Sequence, residues 1–363
     1  MPLLKKVKIT AFELLRSPGP TSARIFRKLL PFFKRKQIER LRETTLAAPL
    51  MLQIETTNIC NAACIFCAYK GMKRKKGVMS IPQFETIVQD YANMGGGAVS
   101  LTPIVGDPLL DPHLLDRIRI LKSHPAIKQI SFTTNSIALD RYSDEDIRYL
   151  LESLFCIQVS IGGLDSATYE TMYGVDSFDR VTGAMERLVK LRTALPQAAH
   201  LTFAFRTTDR YFERHFKKHL AEYRRQGVFV SHMWTFANYG GLIGNKGNSA
   251  LTILDTPHKK QKTCIYPRIH SAVCWDGTAT ACSCTDLECA QLRIGNIGSE
   301  PLAAILSGKR RTGVLDSFSK GTLAAVCRKC SAYRPDSVFA DPCFRNAYPN
   351  PGLSLDFFRR MMT

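Results

Sequence analysis

The chain has 363 residues, which at roughly 100–200 residues per domain predicts two domains, or one large domain with an extension, and excludes a single small module. With 45% hydrophobic and 22% charged residues and no long polar tract, it carries enough apolar side chain to bury a core, which excludes wholesale disorder. Lysine and arginine total 50 against 31 aspartates and glutamates; the formal +19 favours phosphate-bearing or polyanionic partners without choosing between nucleic acid, anionic lipid and a phosphorylated substrate.

Residues 1–47 read as a basic helical N-terminal extension. From Met1 to Thr44 twelve basic residues face Glu13, Glu39 and Glu43, so this stretch alone holds nine of the nineteen net charges. The interspersed Leu, Ile and Phe, as in Ile25–Phe33, predict amphipathic helices. Two uses are open: peripheral contact with an anionic membrane or partner surface, and packing against the main domain with a solvated basic face. The apolar stretch near the start is broken by Glu13 and Arg16 and lacks the h-region of a signal peptide, and no apolar run approaches the ~20 residues of a membrane span. The expected location is cytoplasmic, with membrane association open, where cysteines stay reduced and clustered thiols point to metal ligation.

Residues 48–244 alternate apolar, β-rich runs with segments of helical period. Strands are expected at Leu52–Thr56, Ala98–Ile104, Ile127–Thr134, Phe155–Ile161, His200–Arg206 and Val228–Phe236. Helices are expected at Ile81–Met94, Pro112–Ser123, Ser143–Leu154, Phe178–Leu195 and Tyr211–Gln226. Such alternation predicts a parallel sheet with crossover helices, whose ligand sites lie at the C-terminal ends of the strands. Gly95-Gly96-Gly97 reads as a helix stop before a strand, and the basic run Lys70–Lys76 as a solvated segment or a lid over an anionic substrate. Beyond Gly241 the pattern changes to short strands and Gly/Pro turns, with eight of the twelve cysteines, so residues 245–363 are expected to form a second, cysteine-bearing domain.

Directly after the first strand, Cys60, Cys64 and Cys67 form a C-x-x-x-C-x-x-C arrangement. Three thiolates on one loop suit an iron–sulfur cluster but can ligate only three irons of a 4Fe–4S cluster. The open iron could chelate the amino and carboxylate groups of a methionine moiety and place its sulfonium beside a one-electron donor. A zinc site is the competing reading, but such sites usually add a fourth nearby Cys or His, and no His lies between Leu50 and Leu110.

This loop, with Phe66 before its third cysteine, resembles that of the radical S-adenosylmethionine (radical SAM) enzymes. Val105-Gly106-Asp107-Pro108 resembles the family's Gly-Gly-Glu-Pro segment, Thr134-Asn135-Ser136 its Thr-Asn-Gly, and Ser160-Ile161-Gly162-Gly163 its Ser-Leu-Asp-Gly, here without the acid. The resemblance implies an α/β fold: a partial (β/α)6 TIM-like barrel, followed by a small iron–sulfur domain. It also implies cofactor contacts at Phe66, Gly106, Asp107, Asn135, Ser160 and Arg206, and an electron donor of flavodoxin or ferredoxin type.

In the distal unit Cys264 precedes Cys282 by seventeen intervening residues, with Gly277 five positions before Cys282; forty-four more separate Cys282 from Cys327, and Cys330 follows. This resembles the SPASM/twitch extension of radical SAM enzymes, in a spacing similar to that of the aminocyclitol dehydrogenase of butirosin biosynthesis. The resemblance implies one auxiliary 4Fe–4S cluster held by Cys264, Cys282, Cys327 and Cys330, with Cys343 as an alternative ligand and a zinc ribbon as the competing reading. Cys284 is the candidate catalytic thiol, a hydrogen-atom donor to a substrate radical, with Asp286 and Glu288 as candidate bases on the same segment. Cys156, in an apolar run, reads as core. His215 and His219 read as part of a basic helix face.

The function expected is hydrogen abstraction from a carbinol C–H of a carbohydrate- or cyclitol-like small molecule by a 5′-deoxyadenosyl radical, leading to dehydrogenation or epimerisation. Phosphorylated and lipid-linked forms of the substrate are open, and nucleic acid is not favoured. Two alternatives are maturation of a peptide or protein, and a non-catalytic iron–sulfur or zinc protein that binds RNA or membrane.

Overall fold

The computed structural model describes residues 35–244, 251–257, 260, 263–282 and 285–340. Most of the basic extension, together with Cys284 and Cys343, lies outside them.

Six strands, β1 (Met51–Ile54), β2 (Gly97–Ser100), β3 (Ile127–Thr134), β4 (Cys156–Ile161), β5 (His200–Arg206) and β6 (Phe229–Met233), pair in sequence order, every neighbour parallel. This is the expected α/β architecture, a partial TIM-like barrel, followed by the smaller cysteine-bearing unit. β1, β2 and β4 are buried at every position, as strands covered on both faces must be, which is why they read as continuous apolar runs rather than as alternation. The crossover helices turn apolar faces to the sheet, for example Phe84, Ile87, Val88 and Tyr91 of Ile81–Asn93. Polar side chains set where several begin. Ser143 and Asp146 form a reciprocal capping box at Asp144–Ser153, and Asp165 caps Ser166–Tyr173.

The short strand β7 (Thr235–Phe236) pairs with β8 (Thr252–Ile253). The chain then returns to the barrel: β9 (His270–Val273) lies parallel to β1 along its whole length, and β10 (Thr278–Thr280) and β11 (Arg293–Asn296) follow antiparallel. One nine-stranded sheet, ordered β11-β10-β9-β1-β2-β3-β4-β5-β6, therefore carries both cysteine-bearing regions.

Three expected elements differ. The strand expected at Ala98–Ile104 ends at Ser100, because the Ile104 N–H is taken by the Glu55 carboxylate rather than by a neighbouring strand. The helix expected over Tyr211–Gln226 breaks at Phe216, whose ring packs on Phe212 at 4.8 Å. His215 and His219 consequently sit on separate segments, and His215 Nδ1 meets Asp209 at 2.7 Å. The strand expected over Val228–Phe236 is divided into β6 and β7, and the helix Ser166–Tyr173 lies in a stretch without an expected element. Gly95–Gly97 does end one helix and open β2, all three at positive φ.

Residues 35–47 form a helix that packs on the C-terminal unit. Leu41 is fully buried beside Cys264 and Phe318, Arg42 pairs with Asp336 at 2.8 Å, and the buried Arg311 donates to the Thr45 and Leu46 carbonyls at the helix end. In these thirteen positions the packed reading holds.

Asp111 and Arg117, both fully buried, pair at 2.6 Å; Arg117 also donates to the Met79 carbonyl and lies over the Phe84 ring. Removing one charge of such a pair strands the other in the core. Asp111→Ala is expected to destabilise the protein by about 3–5 kcal/mol, measured as a lowered urea midpoint, whereas removal of the exposed pair partner Asp140 should cost under about 1 kcal/mol.

Candidate active site

The first cysteine loop leaves the C-terminal end of β1 and is fixed by hydrogen bonds that the sequence motif does not contain. The Ala63 and Ile65 N–H groups donate to the carbonyls of Tyr173 and Met172 at 2.8 and 3.0 Å, docking the loop on the end of the helix Ser166–Tyr173. That helix stops at Gly174 with φ +65°, and a Cβ there would stand 2.8 Å from the Ala63 carbonyl oxygen. The Tyr69 hydroxyl accepts from the Cys60 N–H at 3.0 Å, and Asn135 Nδ2 donates to Asn61 at 2.8 Å while lying 3.8 Å from Cys60 Sγ.

Asp107 occupies the junction of the β1, β2 and β3 ends. Its own N–H donates to the Ile59 carbonyl, and its buried carboxylate accepts from Leu109 N, Thr134 Oγ1 and Asn135 N at 2.7–3.0 Å. Burial pushes this carboxyl up to about 6 against the opposing pull of those hydrogen bonds. The carboxylate is thus spent on joining strand ends, and Asn135 receives its orientation from it. Gly106 has φ +138°, and a Cβ there would lie 3.0 Å from the backbone of Asn58, so the close approach of the two segments demands glycine.

Phe66, Ser160 and Arg206, from three separate segments, meet beside the cysteine loop. Arg206 Nε donates to Ser160 Oγ at 2.5 Å, its guanidinium lies over the Phe66 ring at 5.4 Å, and Ser160 Oγ shares a 2.6 Å hydrogen bond with the Tyr173 hydroxyl. Phe66 stacks on Phe236 at 5.2 Å and meets Tyr173 edge-on at 5.4 Å. Tyr173 is missing from the sequence reading. Its only signal is a tyrosine one residue before a glycine that ends a short helix.

Cys60, Cys64 and Cys67 are free thiols, and burial pushes all three above the usual range, Cys60 to about 12. Arg206 opposes the rise at Cys64 and Cys67, as does a hydrogen bond from Tyr239 at Cys67. The three-thiol donor set fits an iron–sulfur cluster with an open iron; binding it would displace protons that the apo-protein holds.

Cys264, Cys282, Cys327 and Cys330 all line one apolar cavity, with Tyr266, Phe318 and Tyr333 among its other walls. The four come from the start of the helix Tyr266–Ile269, the end of β10 and the helix Ala325–Lys329, so their convergence is a tertiary fact. Burial raises Cys264 to about 12 and Cys327 to about 11. An apolar cavity walled by four thiols fits a fully ligated cluster. Gly277 takes φ +82° in the hairpin turn between β9 and β10, which explains the glycine before Cys282.

One turn touches both sites. Tyr239 reaches Cys67, while Asn238 donates to the Lys329 carbonyl at 2.7 Å and exchanges hydrogen bonds with Ser331 at 2.9 and 3.1 Å. Gly240 between them has no room for a Cβ, which would stand 2.3 Å from Val326.

Other expectations resolve differently. Cys284 lies outside the described residues. Asp286 is buried and accepts from Leu292 N at 2.7 Å, and Glu288 accepts from Lys73 N, so both carboxylates hold backbone. Within the basic run, Arg74 is not solvated: both terminal nitrogens bind the fully buried Glu55, at 2.6 and 3.0 Å. Cys156 is core, fully buried.

The family model described as the Radical SAM superfamily matches residues 54–219, and that of SPASM, an iron–sulfur cluster-binding domain, matches residues 264–331. GTP 3′,8-cyclases of Pasteurella multocida and Cronobacter sakazakii are 29% and 30% identical over 139 and 140 residues, 38% and 37% of this chain. The matches span 40% and 41% of those relatives, so the chain covers about two fifths of their length. Among solved structures, BtrN in complex with AdoMet and 2-DOIA has a TM-score of 0.52 at 18% identity, covering 78% of this chain and 92% of that one. Streptococcus suis SuiB bound to precursor peptide SuiA has 0.59 at 15%, covering 85% and 77%. Native anSMEcpe with bound AdoMet has 0.53 at 17%, covering 86% and 96%.

Because Gly174 is where the helix Ser166–Tyr173 meets the cysteine loop, Gly174→Val is expected to displace Ala63. Iron in the reconstituted protein should fall from about eight to about four per chain, with the auxiliary cluster retained, as judged by iron analysis and electron paramagnetic resonance. The chain carries a radical SAM domain followed by a SPASM domain, and with them a 4Fe–4S cluster that works with S-adenosylmethionine and an auxiliary iron–sulfur cluster.

Proposed function

We propose that this radical SAM enzyme removes hydrogen from a carbinol C–H of a carbohydrate- or cyclitol-like small molecule, as an oxidoreductase or an epimerase. The observation that carries the reading is the pairing of two unequal thiol sets on one sheet: three cysteines that leave an iron open and four around a separate cavity that leave none. In this reading Cys60, Cys64 and Cys67 hold the SAM-binding cluster, and Cys264, Cys282, Cys327 and Cys330 hold one auxiliary 4Fe–4S cluster. When bound, these groups supply a 5′-deoxyadenosyl radical and a one-electron acceptor.

The chain's own residues supply orientation. Arg206, fixed by Ser160, offers a guanidinium to the carboxylate or ribose of S-adenosylmethionine, with Phe66 packed beneath it. Asp107 holds Asn135 beside Cys60 through its hydrogen bond to the Asn135 N–H. Transfer of an electron to a saturated auxiliary cluster favours dehydrogenation; return of a hydrogen atom from a thiol such as Cys284 gives epimerisation.

Support for a small substrate comes from the likeness to BtrN, solved with AdoMet and 2-DOIA, 92% of whose length the chain spans. Modification of a peptide is the second reading, favoured by the higher TM-score with SuiB. Contact of residues 1–34 with an anionic membrane, and reduction by a flavodoxin or ferredoxin, belong to the same proposal.

The test is anaerobic reconstitution followed by a dithionite assay for 5′-deoxyadenosine. Wild type should bind about eight irons per chain and Cys64→Ala and Cys327→Ala about four each, with 5′-deoxyadenosine lost in Cys64→Ala. Zinc in place of iron, or no 5′-deoxyadenosine from fully loaded wild type, overturns the reading. Arg206→Ala should weaken S-adenosylmethionine binding by at least about tenfold while keeping both clusters, measured by equilibrium dialysis; one lost charge-assisted bond is worth about 1.5–3 kcal/mol.

A further inference from the structure

Two cysteines that neither cluster uses lie in contact. Cys274, directly after β9, and Cys289, on the loop before β11, have sulfurs 2.9 Å apart although they are fifteen positions apart in sequence. Both are free thiols; Cys274 is fully buried and Cys289 is 2% exposed, in a small apolar group with Ile104 and Ala272. A hydroxyl or a carbonyl would satisfy a buried thiol equally well; a second thiol at this distance is the arrangement that also permits a covalent bond. The contact is within about 1 Å of the ~2.05 Å disulfide length.

The surroundings hold the pair in place rather than leaving it to chance. Cys289 takes φ +50°, a conformation that costs a non-glycine residue free energy, and its N–H donates to the Asp286 carbonyl at 2.9 Å. Asp286 in turn accepts from Leu292 N, closing the loop on itself. Cys274 accepts from the Gly277 N–H and donates to the Thr278 carbonyl, which fixes it in the β9–β10 turn. Across the pair, Arg74 Nε donates to the Leu287 carbonyl, two residues before Cys289, while its other nitrogens bind Glu55. A guanidinium thus stands within electrostatic reach of both sulfurs. The hydrogen bond with Cys289 and burial raise the Cys274 thiol well above the usual range, and either sulfur can donate in the contact.

We propose that Cys274 and Cys289 are an oxidative modification site, a dithiol that hydrogen peroxide converts to a disulfide. One of the two sulfurs attacks peroxide, an S–O bond forms as the O–O bond breaks, and one water leaves. The other sulfur then displaces that oxygen as a second water, the two thiol protons ending on the waters. The sulfurs lose two electrons and the peroxide oxygens gain them. The disulfide closes a ring over residues 275–288, the segment that contains the auxiliary-site Cys282 between its ends. Oxidation would therefore staple one wall of the auxiliary cavity and link it covalently to the end of β9, the strand beside β1. The inference does not depend on which substrate the enzyme uses.

The test uses the reconstituted holoprotein under anaerobic conditions with a few equivalents of hydrogen peroxide, trapped with N-ethylmaleimide in denaturant and digested without reductant. The expected product is a cross-linked peptide pair joining Cys274 to Cys289, released by a phosphine, with two alkylatable thiols lost per chain while the visible iron–sulfur absorbance persists. Oxidation should raise the thermal midpoint of wild type and leave Cys274→Ser and Cys289→Ser unmoved. Should either serine variant fail to fold, Cys274→Ala and Cys289→Ala replace it, and the wild-type peptide map stands by itself. Full alkylation of both cysteines after peroxide, cross-links to other cysteines at equal yield, or bleaching of the clusters before any cross-link each overturns the proposal.

Discussion

The structure depends on the position of β1, which pairs in parallel with β2 on one side and with β9 on the other. A barrel strand normally spends its second edge on closing the barrel; here the second edge recruits the C-terminal unit. All four residues of β1 pair with β9, so the chain leaves β1 as the three-cysteine loop and β9 as the β9–β10 turn at the same end of adjacent strands, and the antiparallel β10 then carries Cys282 back toward the opposite end, beside Leu50 and Met51. The spacing of the two thiol sets is therefore set by backbone hydrogen bonds and not by a flexible linker. The turn at Asn238–Gly241 repeats the connection from the other side, with Tyr239 on Cys67 and Asn238 on the backbone flanking Cys330.

Buried charge performs a related task. Glu55, one residue past β1, is fully buried, binds both terminal nitrogens of Arg74 and takes the Ile104 N–H. It thereby anchors three segments around the mouth of the first site. Arg311, also fully buried, faces carbonyls of residues 45, 46, 267, 268 and 306 and, among the described residues, no carboxylate, and burial lowers it to about 10. A buried guanidinium is costly, and here its two terminal nitrogens share five carbonyl acceptors that tie the N-terminal helix to the auxiliary unit, while Nε has no partner among the described residues. Asp107 works on a smaller scale, and its three accepted hydrogen bonds keep Asn135 beside Cys60.

Much of this was legible in the sequence where period and spacing carry the signal. β3 and β5 match their expected bounds, and Ile81–Asn93 and Asp144–Ser153 lie within one residue of theirs, because their apolar positions repeat at the strand or helix period and their caps are polar. The cysteine loop and the four auxiliary cysteines were identifiable because ligand spacing is a covalent property of the chain. Phe66, Ser160 and Arg206 could be nominated one by one, but their mutual contact could not. Tyr173, Glu55 and Tyr239 belong to no spacing motif, since each acts through neighbours on other segments of the chain. The basic run shows the limit from the other side: five like charges look equivalent, and only Arg74 has a buried carboxylate to meet.

What the sequence by itself determined is therefore local and covalent: which segments are strands or helices, and which cysteines belong to a three-ligand or a four-ligand set. Tertiary structure alone decided that the two sets share one sheet, that Cys274 and Cys289 touch, and that Asp107 spends its carboxylate on strand ends. The physical reason is that a parallel pairing such as β1 with β9 joins residues some two hundred positions apart through backbone groups common to every residue. No side-chain pattern encodes that choice; it follows from which edges remain free once the local elements have formed.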